Sequence, residues 1–297
     1  MGTDAKTKVY ANGGETVSYT HLFVFPSLLI LGGFGLVVTA ANLWYSLQNW
    51  SALSSPSYAG LKNYQRFFSD SIALRSLANT FQYALMYVLP TVAISLFLAM
   101  MLNHKGKIMS FFRALYYVPV ITSYVVVIVV WQWFFDYDIG LFNSILSVFG
   151  ISRVPWLLDT GWAMPSLVLL SIWKNCGYTV LMFMAGLQTV DTNLYEAASI
   201  DGCGRIKMFF HITLPQIRPT TVLCVVMVTT WAFQMFVQPY MLTKGGPNYS
   251  TMTITYYLYQ QAFSSYNIGY ASAIAVIGVV LFLLVITMEK RLLGERR

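Results

Sequence analysis

Six long apolar stretches divide this chain, and they constrain its fold more than any other feature. They cover about 21–47, 77–102, 114–135, 161–187, 219–243 and 268–288. The hydrocarbon core of a bilayer is spanned by about 20 apolar helical residues. Lipid offers no partner to backbone polar groups, so only helices and closed barrels cross it. The sequence therefore predicts an all-α, polytopic membrane protein with six transmembrane helices.

The composition is also that of a protein embedded in lipid. Only 10% of the residues are charged, whereas soluble domains carry about 25%. The formal charge of +7 comes from basic residues that flank the apolar stretches, so it does not indicate a nucleic-acid partner. The three cysteines, Cys176, Cys203 and Cys224, lack the spacing of a disulfide framework or a zinc site. We predict no metal site.

The distribution of basic residues predicts the orientation. The first stretch is too long for the apolar core of a cleavable signal peptide. With both termini in the cytoplasm, twelve of the 18 Lys and Arg residues lie inside and five lie outside. The positive-inside rule favours this arrangement. We expect a cytoplasmic tail over 1–20, a permease-like domain over 21–290 with a cytoplasmic loop at 188–218, and a cytoplasmic tail over 291–297.

The loop between the fourth and fifth stretches carries strong local signals. Asp191, Thr192 and Asn193 offer side-chain oxygens that cap a helix, and Glu196 lies three residues after Asn193, as in a capping box. Gly202 suits the left-handed position that ends this first short helix. The sequence predicts a short helix that projects from the membrane.

A second short helix is predicted over 205–211 of the same loop. Leu214 and Pro215 follow it and are expected to break it, since proline lacks the backbone donor. Pro219 occupies the first turn of the fifth span, where proline is well tolerated. The loop thus reads as two short helices joined at a glycine.

Taken in order, these signals resemble the cytoplasmic coupling loop of binding-protein-dependent ABC importer permeases. The residues that the resemblance assigns to ATPase coupling are Glu196, Ala197, Ala198, Asp201, Gly202, Leu214 and Pro215. Cys203 departs from the usual alanine. The resemblance implies a second permease subunit, two ATPase domains that bind ATP and Mg, and an external substrate-binding protein. It implies a multi-pass protein of the cell membrane with no cofactor in this chain.

Two further segments resemble carbohydrate-importer permeases of the maltose and glycerol-3-phosphate type. One is the outer segment 242–247 (Leu-Thr-Lys-Gly-Gly-Pro) together with 251–263, and the other comprises 173–178 and 185–188 in the fourth span. This resemblance implies a sugar or related polyol as the cargo. A non-sugar cargo such as a phosphodiester, an opine or a polyamine stays open.

Polar residues inside the fourth and fifth spans are the candidates for the substrate pathway. They are Trp173, Lys174, Asn175, Tyr178, Trp231, Gln234 and Gln238. The last three recur at helical spacing and are predicted to share one face. Aromatic rings and amides suit a hydroxyl-rich sugar, although hydrogen bonding between helices would use the same residues.

Lys174 lies near the middle of the fourth stretch. A cation at the bilayer centre costs roughly 2.5–3.5 kcal/mol, and no carboxylate lies in any of the six stretches. Lys174 is therefore predicted to face a water-filled pathway or a carbonyl end of a helix. The alternative is a fourth span that starts later and leaves Lys174 at the interface.

The sequence contains no motif for nucleotide binding or for catalysis. Gly106-Lys107 is followed by isoleucine and lacks the upstream glycine of a Walker loop, and no nucleophile–base pattern is present. An enzyme is therefore not expected. The lack of acidic residues in the six stretches disfavours a proton-coupled carrier. A stand-alone channel or a sodium-coupled carrier remains as the alternative to a permease.

Overall fold

The computed structural model describes residues 24–51, 54–103 and 106–293. The predicted tail 1–20, the start of the first stretch and residues 294–297 lie outside them. In chain order the helices are α1 (Val24–Ser46), α2 (Lys62–Ser69), α3 (Ser71–Leu102), α4 (Lys107–Ile121), α5 (Tyr124–Phe134), α6 (Leu141–Val148), α7 (Thr160–Gln188), α8 (Thr192–Ile200), α9 (Arg205–Gln216), α10 (Arg218–Phe233), α11 (Ile254–Tyr259) and α12 (Ile268–Leu293).

The described chain has little other regular structure. Two-residue strands, β1 (Gln48–Asn49) and β2 (Ser57–Tyr58), pair antiparallel with Gln48 opposite Tyr58. Wider π-helical turns occur within α1 and α9 and after α10 and α11, at Leu28–Phe34, Phe209–Thr213, Pro239–Thr243 and Gln260–Ser264. The predicted all-α fold is confirmed.

Four helices, α1, α3, α7 and α12, are long and apolar enough to cross a membrane. Two bent pairs bring the number to as many as six if each pair counts as one span: α4 meets α5 at 98°, and α9 meets α10 at 71°. The helices α7 and α12 begin within a residue of the predicted starts. The third and fifth predicted spans differ from the structure.

The third span, predicted as one helix over 114–135, is broken. Thr122 and Ser123 are extended between α4 and α5. The Thr122 hydroxyl donates to the carbonyl oxygens of Val118 (3.1 Å) and Pro119 (2.7 Å), so a side chain occupies acceptors at the end of α4. Pro119 also lacks a backbone donor. Hydropathy does not detect such a break, because every residue around it is compatible with lipid.

The fifth span, predicted over 219–243, ends as an α-helix at Phe233. Gln234 caps α10 in a non-helical conformation, and the chain becomes helical again at Val237, just before the π-helical turn Pro239–Thr243. Pro239 has no N–H to continue the ladder. The prediction that Trp231, Gln234 and Gln238 share one helix face is therefore wrong.

The last helix is longer than predicted, because α12 runs to Leu293 and includes Glu289. The Thr229 hydroxyl of α10 donates to Glu289 Oε1 at 2.7 Å. The expectation that no span carries a carboxylate is therefore wrong for the last one. The acid joins α12 to α10 near the end of the bundle that carries the 188–218 loop.

The helix α7 lies at the centre of the bundle and packs against α3, α4 and α10. Gly177 makes the closest of these approaches, because a Cβ atom at this position would collide with the Tyr116 carbonyl oxygen of α4. Ser95 of α3 donates to the Cys176 carbonyl oxygen at 3.2 Å. The polar residues of α7 are thereby held among three neighbouring helices.

At the opposite end from the 188–218 loop, Asp70 joins three helices. Its Oδ1 atom accepts from the amides of Ile72 (3.0 Å) and Ala73 (3.2 Å) and caps α3. Its Oδ2 atom accepts from the hydroxyls of Tyr257 in α11 (2.5 Å) and Tyr270 in α12 (2.7 Å). Although burial raises its pKa, the hydrogen bonds from the two tyrosines and the two amides prevail and lower the pKa of Asp70.

Asp70→Asn is expected to destabilise this end of the bundle by roughly 1–2 kcal/mol, because two hydrogen bonds to a charged acceptor become bonds to a neutral one. The matched control is Asp159→Asn, since Asp159 caps α7 through the amides of Gly161 and Trp162. Asparagine caps as well as aspartate, so the control should melt near the parent. Equal melting temperatures for both variants in detergent would contradict the tyrosine contribution.

The lowered pKa of Asp70 also predicts a pH dependence. A depressed folded-state pKa contributes stability above the unfolded value of about 3.9, and this contribution is lost as the pH falls toward the folded value. The melting temperature of the parent should therefore drop more steeply than that of Asp70→Asn between roughly pH 5 and pH 3. If the melting temperatures of the two proteins changed in parallel with pH, the Asp70 carboxylate would not contribute to stability.

Candidate functional sites

The first helix of the 188–218 loop starts two residues earlier than the capping box requires. Asp191 is the N-cap of α8, and its carboxylate accepts from the Asn193 amide at 2.9 Å. The predicted Asn193–Glu196 box is therefore wrong, and Glu196 lies in the middle of α8 with its side chain exposed. Both Asp191 and Asn193 are good caps, and the sequence alone does not choose between them.

Gly202 ends α8 as predicted. Its φ of 73° is left-handed, and it follows the C-cap Asp201. The Gly202 amide donates to Ser199 O (3.1 Å) and the Cys203 amide to Ala198 O (2.9 Å). These two bonds form a Schellman motif, in which the glycine satisfies the last carbonyls of the helix. The hinge between α8 and α9 therefore has one defined geometry.

The helix α9 does not break at Leu214-Pro215, so this prediction is wrong. It widens into the π-helical turn Phe209–Thr213, and the Leu214 amide donates to Phe209 O. Helical structure then continues to Gln216, past Pro215. The bend comes at Ile217, and Pro219 lies in the first turn of α10 as predicted.

The tip of the loop presents apolar side chains to the outside. Ile200 is 88% exposed and Ile206 is 79% exposed, one on each side of Gly202. The Tyr195 hydroxyl lies 2.9 Å from Thr213 Oγ1 and ties α8 to α9. Large exposed apolar groups commonly mark a contact site. The exposed Glu196 and Ala197 share this short helix with Ile200.

Leu214 and Pro215 lie apart from that tip. They line a groove of about 370 Å³ between the start of α10 and the end of α12, together with Leu292 and Leu293. The Arg218 guanidinium closes the groove by donating from Nε to Leu293 O at 2.8 Å. The residues predicted to couple to an ATPase thus form two separate groups, one at the tip and one against α12.

A polar cavity of about 290 Å³ lies where α3, α5, α7 and the chain after α10 meet. Its lining residues are Tyr83, Tyr87, Tyr124, Asn175, Trp231, Gln234, Met235, Phe236, Val237 and Gln238. Four predicted pathway residues are among them: Asn175, Trp231, Gln234 and Gln238. The last three converge because the chain turns after Phe233, not because they share a helix face.

Hydrogen bonds hold the polar lining in place. Gln238 Nε2 donates to the Tyr124 hydroxyl (2.6 Å) and to Ser171 Oγ (3.2 Å). Asn175 Nδ2 donates to the Tyr87 hydroxyl at 2.9 Å. Tyr83 and Tyr87 are stacked with centroids 5.3 Å apart. The cavity therefore offers phenol hydroxyls and amide groups on a preformed aromatic wall.

Two predicted pathway residues lie beside the cavity and do not line it. The Tyr178 ring packs edge-on against Trp231 at 5.4 Å, so it supports a lining residue. The Trp173 ring contacts Trp131 at 5.4 Å, in the aromatic cluster of α5. Their part in transport remains a prediction.

Lys174 contacts a carbonyl at a helix end, which was one of its two predicted environments. It is the fifteenth of 29 residues in α7, which starts within a residue of the predicted start of the fourth span; the depth of Lys174 in the bilayer remains a prediction. Its ammonium donates to Val120 O at 3.0 Å and lies 5.3 Å from the centre of the Tyr124 ring. In an unbroken helix, the Tyr124 amide would bond to Val120 O. Lys174 replaces the donor that the break removes.

The three tyrosines of the cavity were missed by the sequence reasoning. Tyr83, Tyr87 and Tyr124 lie in apolar runs, where tyrosine is usually attributed to an interfacial belt. The signal that would have found two of them is the i, i+4 spacing of Tyr83 and Tyr87, well inside a span. Nothing in the sequence brings Tyr124 to the same cavity, since that depends on the break between α4 and α5.

Comparison with known proteins decides the family. Residues 91–294 match the family described as binding-protein-dependent transport system inner membrane component. The chain belongs to this family of ABC importer permeases. The predicted resemblance is confirmed, and the alternatives of a stand-alone channel, a sodium-coupled carrier and a membrane enzyme give way to a component of a transport system.

Several relatives match over nearly the full chain. The chain is 35% identical to the probable ABC transporter permease protein YurN of Bacillus subtilis, over 91% of this chain and 94% of that one. It is 34% identical to the sulfoquinovosyl glycerol transport system permease protein SmoG of Agrobacterium fabrum, over 93% and 90%. It is 33% identical to the sn-glycerol-3-phosphate permease protein UgpA of Yersinia pestis, over 90% of each.

The fold of the permease also matches a solved structure. A chain of the bacterial alginate ABC transporter, crystallised with an alginate pentasaccharide-bound periplasmic protein, superposes with a TM-score of 0.80. The match covers 92% of both chains at 21% identity. The chain therefore shares its overall fold with a chain of this transporter.

Proposed function

We propose that this permease is one of two membrane subunits of an ATP-driven importer that moves a sugar or related polyol into the cell. The observation that carries the proposal is the uncharged lining of the polar cavity. Phenol hydroxyls and side-chain amides both donate and accept hydrogen bonds, as the hydroxyl groups of a sugar do. The aromatic walls provide faces for its C–H groups.

The same lining disfavours two of the alternative cargoes, a phosphodiester and a polyamine. A phosphodiester requires a nearby cation, and a polyamine requires carboxylates, because a buried charge without a partner is costly. Within the described residues, the lining contains neither. Lys174 is close, yet its side chain is only 4% exposed and it does not line the cavity. The names of the relatives include arabinooligosaccharides, which are uncharged, as well as the anionic sulfoquinovosyl glycerol; what they share is a sugar or polyol, and this supports a carbohydrate or polyol cargo.

The exposed loop supports coupling to a separate ATPase. The apolar tip around Gly202 offers a surface on which two ATPase domains, with their ATP and Mg, act through this chain and its partner permease. Twelve of 18 basic residues lie on the side of this loop, which favours cytoplasmic termini in the cell or inner membrane. An external binding protein delivers the cargo at the opposite end, where the loops contain fewer basic residues.

Trp231→Ala and Gln234→Leu test the cavity. Each is expected to lower uptake about fivefold, since a buried polar contact is worth about 1 kcal/mol, without weakening capture of the cargo by the binding protein. Matched controls are Trp133→Ala and Gln82→Leu, which change exposed residues outside the cavity. Initial uptake rates in cells and cargo binding to the purified binding protein are the measurements. Parental uptake in both cavity variants would contradict the proposal.

A further inference from the structure

A continuous strip of aromatic rings leads from the polar cavity to the surface. It is formed by Phe236, Tyr240, Tyr256, Tyr259 and Phe263, and we call it the aromatic strip. Phe236 is stacked on Tyr240 at 5.2 Å and contacts Tyr259 at 4.9 Å. Tyr259 in turn contacts Phe263 at 5.0 Å. The rings come from the chain after α10, from α11 and from the turn after α11, so tertiary packing brings them together.

One end of the strip opens into the cavity and the other is exposed. Phe236 lines the cavity, while Tyr240 is 43% exposed and Phe263 is 64% exposed. The strip lies at the end of the bundle opposite to the 188–218 loop, because α10 starts beside that loop and ends at Phe233. This is the side from which cargo enters an importer.

The strip has polar edges as well as ring faces. The hydroxyls of Tyr240, Tyr256 and Tyr259 make no hydrogen bond to another group in the described part of the protein. The Tyr240 ring packs against the rings of Tyr256 at 5.8 Å and Tyr259 at 5.6 Å. Tyr256 is only 7% exposed and supports the other two rings, so the phenol groups of Tyr240 and Tyr259 are the donors and acceptors that are free beside ring faces whose negative charge attracts C–H groups.

We propose that the aromatic strip is a saccharide subsite at the entrance of the pathway, a step that rests on the proposed function. Hexose or pentose rings of an entering glycan stack on Phe263 and Tyr259, their hydroxyl groups pair with the free phenols, and the chain passes Phe236 into the cavity. Contact with acyl chains or with an apolar helix of a second permease would leave the phenol groups unused. Continuity with the polar cavity also favours a glycan.

Photo-crosslinking identifies what covers the strip. The complete transporter, with p-benzoylphenylalanine in place of Phe263, is irradiated in membranes that are supplied with the binding protein and a ¹³C-labelled hydrolysate of mixed plant polysaccharides. We expect a labelled glycan adduct at residue 263. The same replacement at Phe68, an exposed residue of α2 (67%) outside the strip, should give none. Adducts only with lipid or with the second permease would overturn the proposal.

Substitution of Tyr259 distinguishes stacking from apolar packing. Tyr259→Trp keeps a ring and should retain most of the uptake of the labelled sugars. Tyr259→Leu keeps an apolar group without a ring and should reduce it several-fold, more for oligosaccharides than for monosaccharides. Equal uptake by the two variants would overturn the subsite. If the parental transporter takes up no labelled sugar, the proposed function fails; if it does and residue 263 captures none, only the strip fails.

Discussion

Gly202→Val is expected to abolish most uptake while the permease still inserts and binds its partner subunit. Gly202 has a φ of 73°, and a β-branched residue is a strained outlier there. A left-handed conformation costs an L-residue roughly 1–2 kcal/mol. The substitution also disturbs the two backbone hydrogen bonds, from the amides of Gly202 and Cys203, that end α8. Because the apolar tip lies on both sides of this hinge, a changed angle separates Ile200 from Ile206, and transport should fall roughly tenfold or more.

Gly204→Val is the matched control for this prediction. Gly204 has a φ of −71°, which any residue adopts, and a Cβ atom there meets nothing within 4 Å. Uptake by this variant should stay near the parental rate. Substrate-stimulated ATP hydrolysis of the whole complex reports on coupling directly. Normal stimulation together with normal uptake in Gly202→Val would show that the geometry of this hinge is irrelevant.

Structural features that depend on one residue and its immediate neighbours were predicted best from the sequence. The end of α8 at Gly202 and the place of Pro219 in the first turn of α10 were predicted correctly, because each follows from one residue and its backbone preference. The start of α8 was misplaced by two residues, since Asp191 and Asn193 compete as caps. The family resemblance was carried by the same short loop and is confirmed.

The cavity could be predicted only in part. Polar residues inside apolar stretches are conspicuous, and Asn175, Trp231, Gln234 and Gln238 were all expected in the pathway. Their arrangement depends on two breaks, at residues 122–123 and 234–236, that hydropathy does not register. Side chains from distant parts of the sequence satisfy carbonyls at these breaks, Lys174 at Val120 O and Thr253 at Met235 O, and such tertiary contacts cannot be read from hydropathy. Tyr124 was missed for the same reason.

Lys174→Glu is expected to remove most of the folded permease from the membrane. The Lys174 side chain is only 4% exposed and satisfies the carbonyl that the break after α4 leaves without its helical donor. A carboxylate would face that carbonyl oxygen and the negative face of Tyr124. Removing one partner of a buried charged contact costs about 3–5 kcal/mol, a large part of a typical folding free energy of about 5–15 kcal/mol.

Lys174→Met and Arg75→Glu separate the loss of the hydrogen bond to Val120 from the change of charge. Methionine keeps the length and leaves only the Val120 carbonyl unsatisfied, at about 1–3 kcal/mol, so this variant should assemble, melt earlier and transport more slowly. Arg75→Glu makes the same charge change at an exposed position of α3 and should assemble normally. Quantified membrane yield and melting temperature in detergent are the measurements. A normal yield of Lys174→Glu would mean that water reaches residue 174 and that the bend before Tyr124 is held without the lysine.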